Sequence, residues 1–146
     1  LRLRVHAGAL AVIRLPAGAA VPAWANRPPG AGDPGHGPEP LHVVARTAEE
    51  TSLVLAATRL PRPGDADAPT PGTVEDDFRA LSVAGPLDFA LVGILARLCD
   101  ALARAAVPVF AVSTFDTDWL LVRSDRLAAS VAALRAAGAR VDDGAA

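Results

Sequence analysis

Two short runs concentrate the polar residues able to do chemistry, Gly85-Pro86-Leu87-Asp88-Phe89 and Ser113-Thr114-Phe115-Asp116-Thr117-Asp118. The first is expected to open a long apolar helix. The loop from Gly85 to Asp88, Pro86 apart, would then present free backbone N–H groups at the helix start, which would suit a carboxylate or another anion. Asp88 could equally cap the helix while Gly85-Pro86 turns the chain. Asp116 and Asp118 flank Thr117 at a tight turn, where two carboxylates can hold an α-ammonium or a guanidinium, although turns also favour Asp for its local backbone bonds. The hydroxyls of Ser113 and Thr114 end a buried strand, and they either reach a ligand or close the ladder. The candidate ligand-binding set is therefore Gly85, Pro86, Leu87, Asp88, Phe89, Ser113, Thr114, Asp116, Thr117 and Asp118. No catalytic role is expected of the Asp pair, because nothing nearby suggests a nucleophile, a metal or an oxyanion site.

Other reactive residue types point nowhere in particular. His6, His36 and His42 lie far apart, and with Cys99 they match no metal-ligand spacing, so neither metal nor cofactor is expected. Cys99 is the single cysteine, which rules out an intramolecular disulfide and fits a reducing cytoplasm. It sits in an apolar stretch with no basic neighbour to activate it, and so reads as core. Trp24 and Trp119 read as packing residues. The glycines between 30 and 37 lack the Lys-Ser/Thr ending of a phosphate loop and precede no helix. Gly93 falls inside the helical pattern at a cost of about 1 kcal/mol, explained by close approach of a ligand or second helix, or by a tolerated defect.

Composition sets the bounds. At 146 residues and 51% hydrophobic, the chain can bury a real core as one domain or as two very small ones. All 14 basic residues are Arg, a bias we attribute to a GC-rich genome. With a net charge of −2 and no basic stripe, the footprint of a nucleic-acid binder is missing. Apolar runs are broken well before the ~18 residues of a membrane span, and no leader pattern opens the chain. The absence of Met at position 1 suggests a trimmed or fragmentary N-terminus.

Periodicity predicts strands at 9–15, 41–46 and 53–57, with Thr47 and Glu50 spaced as a capping box that makes a single turn before the third strand. Residues 27–40 and 61–73 are Pro/Gly-rich, the first read as a mobile loop and the second as a linker. Beyond them a strand over 78–83 leads to a surface helix from about 88 to 106. Leu91, Leu95, Leu98 and Leu102 face the sheet there, and Arg97, Asp100 and Arg104 face away. Strands at 107–113 and 119–123 follow, then a helix capped by Ser124 and stopped by Gly138, and a last strand at 140–141.

The order β-α-β-β-α-β is ferredoxin-like. Filled by 78–89, by Gly93-Ile94-Leu95-Ala96 and by 112–122, it resembles the ACT-domain family. Within that family the chain is similar to the small tandem-ACT bacterial proteins related to the CASTOR arginine sensors. Ala23-Trp24-Ala25, residues 46–50 and Ser52-Leu53-Val54-Leu55 match more weakly. The resemblance implies an α+β fold of two ferredoxin-like ACT-type repeats, the first one reduced. Its expected boundaries are a reduced half over 1–60, a linker over 61–76 and an ACT domain over 77–143. It implies a cytoplasmic, non-enzymatic sensor that binds an amino acid where repeats join, forms a homodimer and signals to a protein partner that the sequence does not identify. The insertion at 27–40 departs from the family pattern. Two rivals are an oligomerisation module without ligand and a small hydrolase of the acylphosphatase sort. The latter needs an Arg-bearing phosphate loop with a water-positioning amide, whereas the single Asn, Asn26, sits in an unrelated loop.

Overall fold

Alternating apolar residues write the sheet that carries the candidate site. The computed structural model of the chain describes residues 1–26, 37, 39–70, 73–88 and 90–144. Most of the loop expected at 27–40, residues 71 and 72, and Phe89 lie outside the described residues. The elements in order are β1 (Arg2–Val5), β2 (Leu10–Pro16), β3 (Val43–Arg46), β4 (Glu50–Ala56), β5 (Val74–Val83), α1 (Ile94–Arg104), β6 (Phe110–Ser113), β7 (Asp118–Arg123), α2 (Leu127–Ala136) and β8 (Arg140–Asp142). They fall into two units, Leu1–Ala7 with Arg79–Ala146, and Gly8–Phe78.

In the first unit the strands run β8-β1-β5-β7-β6. β1 is antiparallel to β5, with Leu3 opposite Val83 and Val5 opposite Leu81, and parallel to β8, with Leu3 opposite Val141. β6 and β7 form an antiparallel hairpin in which Ser113 faces Asp118. The period of two puts Leu3, Val5, Leu81, Val83, Leu120 and Val122 into one core with Leu98 and Leu102 of α1 and Val131 and Leu134 of α2. Both helices therefore lie on one face of this sheet. On the outer side of α1, Asp100 and Arg104 pair at 3.0 Å in the i,i+4 relation expected of an exposed face.

Both helices stop in the same way. After α2, Gly138 N–H bonds to Arg135 O and Ala139 N–H to Leu134 O, with Gly138 at φ 91°. After α1, Ala106 N–H bonds to Ala103 O and Val107 N–H to Leu102 O, but the left-handed position is held by Ala106 at φ 54°. A Cβ in that conformation costs about 1 kcal/mol. Ala106→Gly is thus expected to raise stability by about 1 kcal/mol, while Gly138→Ala, where a Cβ would meet nothing within 4 Å, loses about as much through backbone strain alone. Thermal unfolding of the two variants checks the pair.

Several expectations need correction. The helix predicted from 88 begins at Ile94, because Gly93 takes φ 78° and Asp88 closes a local turn, accepting from Ala90 N at 2.8 Å and from Leu91 N at 3.0 Å. β6 begins at Phe110 and not at 107, since Val107 is used to end α1. Ser124 opens a 3-10 turn over Ser124–Arg126, and Arg126 occupies the cap of α2 with no side-chain capping bond. Residues 2–5, where no strand was expected, form β1, and residues 1–7 pack with 79–146 through its pairing with β5 and β8. Residues 74–76, placed in the linker, already belong to β5.

The second unit orders its strands β3-β4-β2-β5, all antiparallel, over a core of Ala11, Ile13, Ala25, Leu53 and Leu55. The Thr47 spacing makes its bonds, with Oγ1 accepting from Glu49 N and Glu50 N at 3.1 Å each, but it closes the turn between β3 and β4. Among the described residues its helical content is two 3-10 turns, Ala23–Ala25 and Ala57–Arg59. Across the whole described chain the fold is mixed α+β, and no helix in it is long and apolar enough to cross a membrane.

Candidate functional site

The β6–β7 hairpin turns through Thr114-Phe115-Asp116-Thr117. Thr114 N–H donates to Thr117 O at 2.9 Å and its Oγ1 to the same oxygen at 3.0 Å. Two bonds tie this turn to the end of β5: Leu87 N–H donates to Asp116 O at 2.7 Å, and Thr117 Oγ1 donates to Val83 O at 2.6 Å. Asp118 is the first residue of β7, outside the turn proper, and its Oδ1 accepts from Ser113 Oγ at 2.6 Å. Asp116 is exposed, and its carboxylate makes no hydrogen bond or ion pair among the described residues.

Between this turn and the start of α1 lies a cleft of about 380 Å³, the size of a small-ligand site. Leu87, Asp88, Ser113, Thr114, Asp116, Thr117 and Asp118 from the predicted set all line it. Gly85 and Pro86 do not. Gly85 instead packs beneath the turn, where a Cβ would stand 2.9 Å from Asp116 O and 3.3 Å from Thr117 Cβ. Phe89 is outside the described residues.

Sequence reasoning missed the wall formed by Leu91, Gly93, Ile94, Leu95 and Ala96, and it left Phe115 out of the set. The first intrahelical bond of α1 runs from Arg97 N to Gly93 O, so among the described residues the amides of Ile94, Leu95 and Ala96 are the donors of the helix start without a backbone acceptor. The helix start itself lies six residues later than expected. Gly93 was the available signal: its φ of 78° explains the glycine, whereas nothing lies within 4 Å of a Cβ built there, so close approach does not. The cleft brings the start of α1, the positive end of its helix dipole, together with three acidic residues, Asp88, Asp116 and Asp118. Among the described residues no group of three His, Cys, Asp or Glu side chains could hold a metal ion.

On the sheet next to this hairpin, His6 lies half-buried with its ring 4.8 Å from that of Trp119 and its Nε2 2.8 Å from Ser82 Oγ. Burial first, and then the positive charge of Arg4, push its pKa below the ordinary histidine value. The unfolded chain therefore takes up the proton first as the pH falls. The folded state keeps its full advantage above the ordinary histidine range and loses it on acidification through that range. His6→Gln is expected to flatten this part of the stability profile, measured by denaturant unfolding on either side of the range.

Residues 73–136 match the family described as ACT domain. Among solved structures, the chain is similar to protein Atu0741 from Agobacterium tumefaciens at 30% identity and a TM-score of 0.78, over 99% of this chain and 94% of that one. Residues 73–136 thus carry the likeness to the ACT-domain family, and the likeness to Atu0741 extends over nearly the whole chain. The fold of the chain is shared with VC0802 of Vibrio cholerae, a protein of unknown function, at 17% identity and a TM-score of 0.64 over 93% of this chain and 88% of that chain. It is shared also with the regulatory subunit of aspartate kinase from Thermus flavus, at 10% identity and a TM-score of 0.58 over 93% and 96% of the two chains. No curated protein matches the chain.

Proposed function

We propose that the chain is a non-catalytic regulatory protein that binds a free amino acid in the cleft between 87–96 and 113–118. The observation that supports this reading is the make-up of one small cleft, which joins the start of α1 to Asp116 and Asp118, with a third carboxylate, Asp88, engaged by Ala90 N–H at 2.8 Å. A zwitterion is complementary to that make-up: its carboxylate meets the amides of Ile94 to Ala96, and its ammonium meets Asp116 and Asp118. In this reading 77–143 is the ligand-bearing ACT domain, to which residues 1–7 add a strand. The remainder of 1–60 is a reduced ACT-like half, the part of the expected linker ahead of β5, 61–73, joins the two, and the chain is a cytoplasmic relative of the tandem-ACT proteins akin to CASTOR. A thermal-shift screen over the twenty amino acids tests it. A ligand at a hundred times its dissociation constant adds about 2.7 kcal/mol, and no shift with any of the twenty would remove the sensor reading.

Leu91, Val92 and Phe115 are 55%, 89% and 80% exposed, and two of the three line the cleft. Such apolar exposure favours association, so we expect a homodimer. Sedimentation that returned only the 14.9 kDa chain over a wide concentration range would contradict this. The same exposure is what a pure oligomerisation module would show, and the thermal-shift screen separates the two readings.

A further inference from the structure

A second cleft, of about 430 Å³, runs along α2 in the same unit and carries the opposite charge. Its walls are aliphatic, from Val5, Leu127 and Val131 with the small Ala128 and Ala132, and its charged lining residues are Arg79, Arg135 and Asp143. Two arginines against one aspartate leave a single positive charge.

The arginines are incompletely partnered. Arg79 donates from one terminal nitrogen to His6 O at 2.9 Å, while its Nε is buried with no partner among the described residues. Buried donors left in that state are rare in folded proteins. Arg135 uses a single terminal nitrogen for both Val141 O at 2.7 Å and Asp143 Oδ2 at 3.0 Å. Gly144, next to Asp143, lies so close to Val5 O that any Cβ would collide with it, so residues 143 and 144 form a strap from Arg135 to β1.

We propose that this cleft binds a monocarboxylate with an aliphatic tail, its carboxylate on Arg79 and Arg135 and its tail against Leu127 and Val131. Asp143 is then an internal stand-in that the ligand displaces. The apolar walls disfavour a polar phosphate ligand, and the net single charge suits a monoanion over a dianion. Planar guanidinium forks hold carboxylates through paired, charge-assisted hydrogen bonds. The site is separate from the amino-acid cleft and does not depend on it.

Calorimetric titration of the full chain with hexanoate at millimolar concentration tests the proposal, with hexanol as the uncharged probe of the same length. Hexanoate is expected to bind and hexanol to bind about tenfold more weakly or not at all, the scale of losing a charge-assisted contact. Arg79→Gln should weaken hexanoate by about tenfold for the same reason. Asp143→Asn should tighten it by freeing Arg135, and Asp116→Ala should leave it unchanged. Ala132 is exposed on α2, so Ala132→Phe fills the cleft without disturbing the core and should abolish binding even if the Arg79 variant folds poorly. No hexanoate binding to either the natural chain or Asp143→Asn, equal binding of hexanol, or undiminished binding to Ala132→Phe would overturn the proposal.

Discussion

Asp116→Ala is expected to weaken amino-acid binding by 2 kcal/mol or more, about thirtyfold, the scale of truncating one partner of a charged pair that a ligand buries. Stability should hardly move. The carboxylate is exposed and has no partner among the described residues, and surface changes of that kind stay within about 0.5 kcal/mol. Asp118→Ala differs in a telling way, because Asp118 accepts from Ser113 at 2.6 Å and its loss removes a hydrogen bond worth about 1 kcal/mol. Affinity and unfolding free energy measured on both variants therefore separate a ligand-holding carboxylate from a turn-forming one. Unchanged affinity in both would place the ligand elsewhere.

Gly85→Ala should damage fold and site together. The added Cβ meets Asp116 O at 2.9 Å, and that carbonyl cannot yield easily because Leu87 N–H holds it at 2.7 Å. Thr117, 3.3 Å away, is pinned in turn to Val83 O. Backbone and not a flexible side-chain end must move, so we expect a loss of about 1–3 kcal/mol, as for overpacking. The Asp116–Asp118 segment would shift with it and ligand affinity would fall. Denaturant unfolding and titration on this variant check the claim, and a variant as stable and as avid as the natural chain would show that the turn does not depend on Gly85.

Elements set by local pattern were legible in the sequence. Leu98 and Leu102 at helical spacing, the strands over 78–83 and 119–123, and Gly138 as a stop all stand where they were read. β1 was not, although Leu3 and Val5 alternate with Arg and His. Its burial comes from pairing with residues almost eighty positions away, which no local window contains. The start of α1 was misplaced because Leu91 continues the helical period, and only the left-handed Gly93 and the turn closed by Asp88 break it. The carboxylates and hydroxyls of the candidate cleft were readable as polar residues at a turn. The backbone amides at the start of α1 were not, since any residue supplies an N–H and only the true helix start decides which lack an intrahelical acceptor.

The most direct measurement is a ¹⁵N-edited titration of the backbone amides with the amino acid that raises the melting temperature most, run beside the same amino acid as its carboxamide. The account predicts that the free acid shifts the amides of Ile94, Leu95 and Ala96 together with those of the Asp116–Asp118 segment, and that the carboxamide, lacking the anion, leaves the helix amides in place. Binding that perturbs neither segment, or perturbs them equally with the carboxamide, would contradict it.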